Sequence, residues 1–166
     1  MTSGVLPFNT LKELVHLNKG FFETSQYTEN AQMFTTSGNH DDAGMSGGNL
    51  QYNFGSADRL QELYLYMLDN YDSVVQTAFG ANTTQYNEFR TVITTYTRTA
   101  RITWADGVTD YVADSEGRVL KEPWKTCLGN LLTTHECIAK YKAMRDLYYW
   151  DLPYDLFRQM SCISRA

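Results

Sequence analysis

Between Gly38 and Gly55 the chain carries five glycines, and Ser, Thr, Asn and Gly dominate the wider stretch from Tyr27 to Gly55. No long helix survives that composition. Glycine loses the most backbone freedom on ordering, and Ser, Asn and Asp side chains compete for the backbone groups a helix needs. Turn residues at this density predict a loop followed by a short, irregular hairpin. The bulk of the core must therefore come from the flanking segments, and those carry helical periodicity.

Thr10 and Glu13 form a capping-box pair, which predicts a helix start there. Leu11, Leu14, Val15 and Phe22 recur at helical spacing, Gly20 falls near the end of the pattern, and Glu23 closes it. From Ser56 onward, Leu60, Leu63, Tyr64, Met67, Leu68 and Tyr71 make a second stripe, ended by Gly80. Phe89, Val92, Ile93, Tyr96 and Ala100 predict a third helix. Arg101 to Lys121 reads differently. Ile102 and Trp104 alternate, and the turn signals Asp106-Gly107 and Asp114-Ser115-Glu116-Gly117 flank Val108, Tyr111 and Val119, as in a β-hairpin or small meander. Beyond Pro123 the pattern is helical to about Trp150, Pro153 breaks it, and Leu156, Phe157 and Met160 predict a last short helix. The expected fold class is α+β, mainly helical, with a small β-hairpin lobe. Residues 1–166 form a single domain on this reading, because a chain of 166 residues supports one sound core but hardly two.

Composition excludes several function classes. With 14% aromatic and 43% hydrophobic residues the chain has enough apolar surface to fold. A net charge of −5 without a basic stripe argues against a nucleic-acid surface. No apolar run approaches the roughly 18 residues of a membrane span. The segment from Met1 to Leu14 lacks a basic stretch followed by an apolar one, so no signal peptide is expected. Cys127, Cys137 and Cys162 are an odd, widely spaced set, and His16, His40 and His135 lie far apart. They make no metal-binding spacing, so neither a metal nor a cofactor is expected. A single Cys127–Cys137 or Cys137–Cys162 bridge remains open outside a reducing compartment.

The chemistry concentrates around the glycine-rich stretch. Glycines let backbone approach a ligand, while Asn49, Gln51, Asn53 and Tyr52 offer amides and a ring, a combination suited to a sugar chain. Glu23 follows Phe21 and Phe22, and desolvation there would raise its pKa toward that of a general acid. Asp41 and Asp42, in a polar loop, would stay ionised. Two carboxyls in contrasting environments are the minimum apparatus for glycoside hydrolysis, although a chain with 19 acids offers many such pairs.

Glu23, the run from Gly38 through Asp41-Asp42-Ala43-Gly44-Met45-Ser46-Gly47-Gly48, and Leu50-Gln51-Tyr52-Asn53-Phe54-Gly55 with Leu60 resemble the active-site stretch of the lysozyme-like superfamily. The pattern is most similar to the family 46 chitosanase branch and its peptidoglycan-lysing relatives, in which a Glu closes the first helix and an Asp opens a D-x-x-G-x-[ST]-x-G turn. Here Glu23 precedes Asp41 by 18 residues, as in that branch. Glu122-Pro123-Trp124, Thr133-Thr134 and the following helix with Tyr141 look like the second half of the same relatives. The resemblance implies a lysozyme-like fold and cleavage of β-1,4 bonds in an amino-sugar polymer. Glu23 would protonate the leaving oxygen, Asp41 would activate a water, and Ser46 would hold that water. Asp42 is the rival base and otherwise a binding residue, beside Asn49, Gln51, Tyr52 and Asn53. The long loop between the two acids suggests the wider separation that gives inversion.

Peptidoglycan, cleaved as by a muramidase in bacteriolytic cell-wall degradation, is the first substrate on this reading. Chitosan is second, favoured by the negative charge of the chain. Without a signal peptide, delivery to the wall or periplasm would need a holin or a secretion apparatus, and in the latter case an immunity protein as partner. Two other classes stay open. A non-catalytic glycan-binding or interaction module would use Tyr52, Trp104, Trp124 and Trp150 as sugar platforms, although core packing is the plainer role for Trp124 and Trp150. A serine hydrolase would use Ser46, because Gly44-Met45-Ser46-Gly47-Gly48 formally fits G-x-S-x-G. That motif requires a strand-to-helix turn, which the extended run Asn49 to Phe54 does not suggest.

Overall fold

The computed structural model describes residues 7, 10, 11, 13, 14, 43–48, 50–55, 57–111 and 118–148. Thr10, Leu11, Glu13 and Leu14 are helical, in keeping with the expected start at Thr10. The remaining elements in chain order are β1 (Ser46–Gly47), β2 (Tyr52–Asn53), α1 (Arg59–Asn70), α2 (Asp72–Phe79), α3 (Thr83–Thr95) and α4 (Arg98–Gly107). They are followed by β3 (Thr109–Tyr111), β4 (Arg118–Leu120), α5 (Trp124–Leu132) and α6 (His135–Tyr148). The described residues are mainly helical, with two small antiparallel sheets of two strands each among them. Among the described residues no helix is long and apolar enough to cross a membrane.

Three expectations are corrected. The stripe from Leu60 buries Leu60, Leu63, Tyr64, Met67 and Leu68, but the helix stops at Tyr71 instead of running on to Gly80. Tyr71 leaves helical geometry at φ −139° and is 38% exposed, and its carbonyl accepts from Val75 at 3.1 Å to start α2. Asn70, Asp72 and Ser73 are residues that favour helix ends over interiors, so a new helix begins with no glycine or proline to mark the break. Likewise, the helix expected from Pro123 to Trp150 divides at Thr133-Thr134, where the Thr134 hydroxyl accepts from the Cys137 amide at 3.3 Å. The largest difference is at Arg101–Gly107, expected as strand and found in α4. Thr97 caps it, accepting from the Ala100 amide at 3.2 Å. Its buried positions are Arg101 and Ala105, with Val108 just beyond, a helical spacing hidden because one member is charged. Only the second half of the expected meander is β: β3 pairs with β4 with Thr109 opposite Leu120. Tyr96 and Ala100 accordingly fall outside α3, at its end and in α4.

Six elements share one core through a closed circuit of aromatic contacts. Phe54, just after β2, meets Trp104 of α4 at 6.5 Å between ring centroids. Trp104 packs edge-on to Trp124 of α5 at 5.2 Å, and Trp124 packs edge-on to Phe79 of α2 at 6.1 Å. Phe79 meets Phe89 of α3 at 5.2 Å, Phe89 meets Tyr64 of α1 at 5.0 Å, and Tyr64 returns to Phe54 at 6.4 Å. Each such pair adds about 0.5–1.5 kcal/mol beyond its burial. The hairpin is thus locked to the helices through Phe54.

Two buried guanidinium groups fix the periphery of this core. Arg145 of α6, 2% exposed, makes a two-pronged contact with Glu13 at 2.6 and 3.1 Å and also meets Asp146. It ties the helix near the N-terminus to α6. Arg101 of α4 pairs with Asp58 and donates to the Tyr96 carbonyl at 2.5 Å. Asp58 adopts left-handed geometry (φ 50°), and its second carboxylate oxygen, Oδ1, is buried without a hydrogen-bond partner among the described residues. Burial therefore raises its pKa above 3.8, outweighing the attraction of Arg101 and Arg98. The folded protein then holds a proton on Asp58 over a range where the unfolded chain has lost it. The stabilisation from that proton is full below 3.8 and fades as pH rises through the raised folded value. Asn tolerates left-handed geometry and does not titrate. The melting temperature of the wild type minus that of Asp58→Asn should therefore shrink in thermal scans taken from about pH 3 to about pH 7. A difference that grows with pH would mean that Arg101 outweighs burial.

Candidate functional site

The hairpin β1–β2 carries the second half of the glycine-rich motif. Ser46 pairs with Asn53 and Gly47 with Tyr52. The Phe54 amide donates to the Ala43 carbonyl at 3.0 Å, and the Gln51 amide closes the turn onto the Gly48 carbonyl at 3.1 Å. Two of the motif's glycines, Gly44 and Gly48, have positive φ (73° and 77°), which side-chain-bearing residues rarely adopt. Each also faces a helix at close range. A Cβ on Gly44 would lie 3.0 Å from the Ala105 Cβ of α4, and one on Gly48 would lie 2.5 Å from the Tyr141 ring of α6. The hairpin is wedged between two helices, and the glycines are what let it fit.

Ser46 lies at the centre of this wedge, 2% exposed. The chain then turns and runs back as β2, so Ser46 is not on the strand-to-helix elbow that a G-x-S-x-G nucleophile requires. Tyr52 is 1% exposed. Its ring packs on Tyr141 at 4.4 Å, and its hydroxyl donates to the Tyr141 carbonyl at 3.3 Å. Asn53 is occupied locally: its Oδ1 accepts from the Gly55 amide at 2.8 Å and its Nδ2 donates to the Gln51 carbonyl at 3.2 Å. Gln51 is half-buried at φ 53°. The expected sugar contacts thus have structural partners, Tyr52 on α6 and Asn53 within the hairpin segment. Glu23, Asp41, Asp42 and Asn49 lie outside the described residues, as do Trp150 and the short helix expected at Leu156–Met160. Of the other proposed sugar platforms, Trp124 is 6% exposed in the core, and Trp104 is half-buried with its indole N–H donating to Glu88 at 2.8 Å.

Two residues that sequence reasoning did not single out for a role here surround the hairpin. Tyr141 fastens its turn, its hydroxyl accepting from the Leu50 amide at 2.7 Å. The Arg101 guanidinium stands 6.0 Å from the Phe54 ring centroid, and its partner Asp58 donates its amide to the Gly55 carbonyl at 3.0 Å. A faint signal existed for Arg101, its spacing with Ala105 and Val108. Tyr141 entered the sequence reading only through the resemblance of its helix, and its contacts with the hairpin had no local signal because the partners stand some ninety positions earlier in the chain.

The cysteines of the described region are buried thiols. Cys127 and Cys137 are both free, and burial pushes the Cys137 thiol up to about 12. The Cys127–Cys137 bridge left open by the sequence is not formed. No three His, Cys, Asp or Glu side chains among the described residues converge as a metal site. Compared with known proteins, the chain matches no family model, no curated sequence and no solved structure.

Proposed function

We propose that the chain is a glycoside hydrolase of lysozyme-like fold that cleaves β-1,4 bonds of an amino-sugar polymer, with peptidoglycan as the first substrate and chitosan as the second. The observation that carries this reading is the hairpin. In the run Asp41-Asp42-Ala43-Gly44-Met45-Ser46-Gly47-Gly48, both glycine positions of the D-x-x-G-x-S-x-G pattern have positive φ, and the serine between them is held in β1 of the hairpin. A segment of this shape leaves Ser46 able to hold a water while Asp41 removes its proton and Glu23 protonates the departing glycosidic oxygen. Tyr52 and Asn53 then shape the wall of the cleft from within, and Asp42, Gln51 and Asn49 remain the candidates for direct contact with sugar. Delivery to the wall by a holin or a secretion apparatus, with an immunity partner in the second case, belongs to the same proposal.

The test is to digest purified peptidoglycan and chitosan in parallel and to identify the products by mass spectrometry. New reducing ends on muramic acid are the expected result, with inverted anomeric configuration in the first product observed by NMR. Chitosan oligomers alone would move the substrate to chitosan, as the charge of −5 favours. Binding to either polymer without cleavage would replace the enzyme by a glycan-binding module.

A further inference from the structure

We propose that Tyr141 is the positioning residue that sets the hairpin turn, and through it Ser46, in place; this role in hydrolysis rests on the glycosidase reading above. Four separate contacts converge on this one side chain and its own carbonyl. The phenol oxygen accepts from the Leu50 amide at 2.7 Å, inside the turn between β1 and β2. The ring lies against Tyr52 at 4.4 Å, and the carbonyl accepts from the Tyr52 hydroxyl at 3.3 Å. The same ring faces Gly48 closely enough to leave no room for a Cβ.

A two-stranded ribbon of two residues per strand has almost no stability of its own. Its position must come from outside. Near Gly44 the hairpin backs closely onto Ala105 and Ile102 of α4, with no room for a Cβ. At the turn, the hydrogen bond from Leu50 to Tyr141 is directional and defines where the turn sits along α6. Ser46 pairs across the ladder with Asn53, next to the Tyr52 that Tyr141 grips. A displacement of the turn therefore reaches Ser46 within one ladder step. Catalytic groups lose rate steeply on displacements of about 1 Å, whereas substrate affinity spread over many sugar contacts changes little.

Tyr141→Phe separates this role from packing. It keeps the ring against Tyr52 and Gly48 and removes the hydroxyl that accepts from the Leu50 amide. The Leu50 amide in folded Tyr141→Phe should exchange with solvent about tenfold faster or more, as loss of one hydrogen bond implies. On the susceptible polymer, kcat per folded molecule should fall about tenfold or more while KM stays within about twofold. A residue of merely structural importance would lower the melting temperature and leave kcat per folded molecule intact, and that outcome overturns the positioning role. Unchanged Leu50 exchange also overturns it, by removing the contact on which it stands. The amide measurement needs no substrate. A wild type inert on both polymers would overturn the glycosidase reading alone, and Leu50 would then decide whether Tyr141 positions the hairpin.

Discussion

Glu23→Gln is expected to lower hydrolysis of the susceptible polymer by about two to four orders of magnitude, the range that a lost general acid implies. Gln preserves the shape and size of the side chain but has no proton to give the leaving oxygen. Asp41→Asn should be comparably damaging, because the attacking water then lacks a base. Asp42→Asn should cost much less and act mostly on binding. None of the three should weaken the fold, since each replacement is nearly isosteric and a catalytic carboxyl tends to strain its site. Melting temperatures should hold or rise while turnover collapses. Near-normal hydrolysis of both polymers by Glu23→Gln would remove the assigned acid, and the glycosidase reading with it. A dead Asp42→Asn beside a living Asp41→Asn would move the base by one residue and leave the rest standing.

The helices were legible where apolar residues alone set the period. Leu60, Leu63, Tyr64, Met67 and Leu68 are all buried, as their spacing requires. Helix ends were less legible, because Tyr71 and Thr133-Thr134 interrupt the chain without glycine or proline. α4 was misread for a more instructive reason. Counting only apolar residues leaves Ile102 and Trp104, which alternate, and passes over Arg101, which is 6% exposed and makes the stripe helical. Its burial depends on Asp58, which stands 43 positions earlier, so no local pattern announces it. The candidate site divides along the same line. The positive φ of Gly44 and Gly48 accords with a glycine-punctuated motif. The ring opposite Gly48 belongs to a helix near the other end of the chain. Local geometry can be read from local residues, and the long-range contact that immobilises it cannot.

Gly48→Ala should cost about 2–5 kcal/mol of stability, from two sources that can be separated. The first is backbone. At φ +77° an alanine Cβ crowds its own carbonyl, at roughly 1–2 kcal/mol. The second is the collision, because that Cβ would lie 2.5 Å from the Tyr141 ring, and overpacking a tight site costs about 1–3 kcal/mol. The ring has little freedom to withdraw, held by Leu50 at its tip and by Tyr52 along its face. For a chain of this length the loss should read as a fall of about 5 to 15 °C in melting temperature. Gly129→Ala is the contrasting case: it lies inside α5, where among the described residues the new Cβ meets nothing within 4 Å beyond its own stretch of helix, and it should hold or gain stability by about 0.5–1 kcal/mol. Repeating Gly48→Ala in a Tyr141→Leu background divides its two sources. Leu has no ring at the point of collision, so only the backbone penalty should remain, and the two substitutions together should cost less than the sum of their separate effects. Strict additivity would mean that Tyr141 does not confine Gly48, and the turn would then owe its place to α4 and the Phe54 circuit alone.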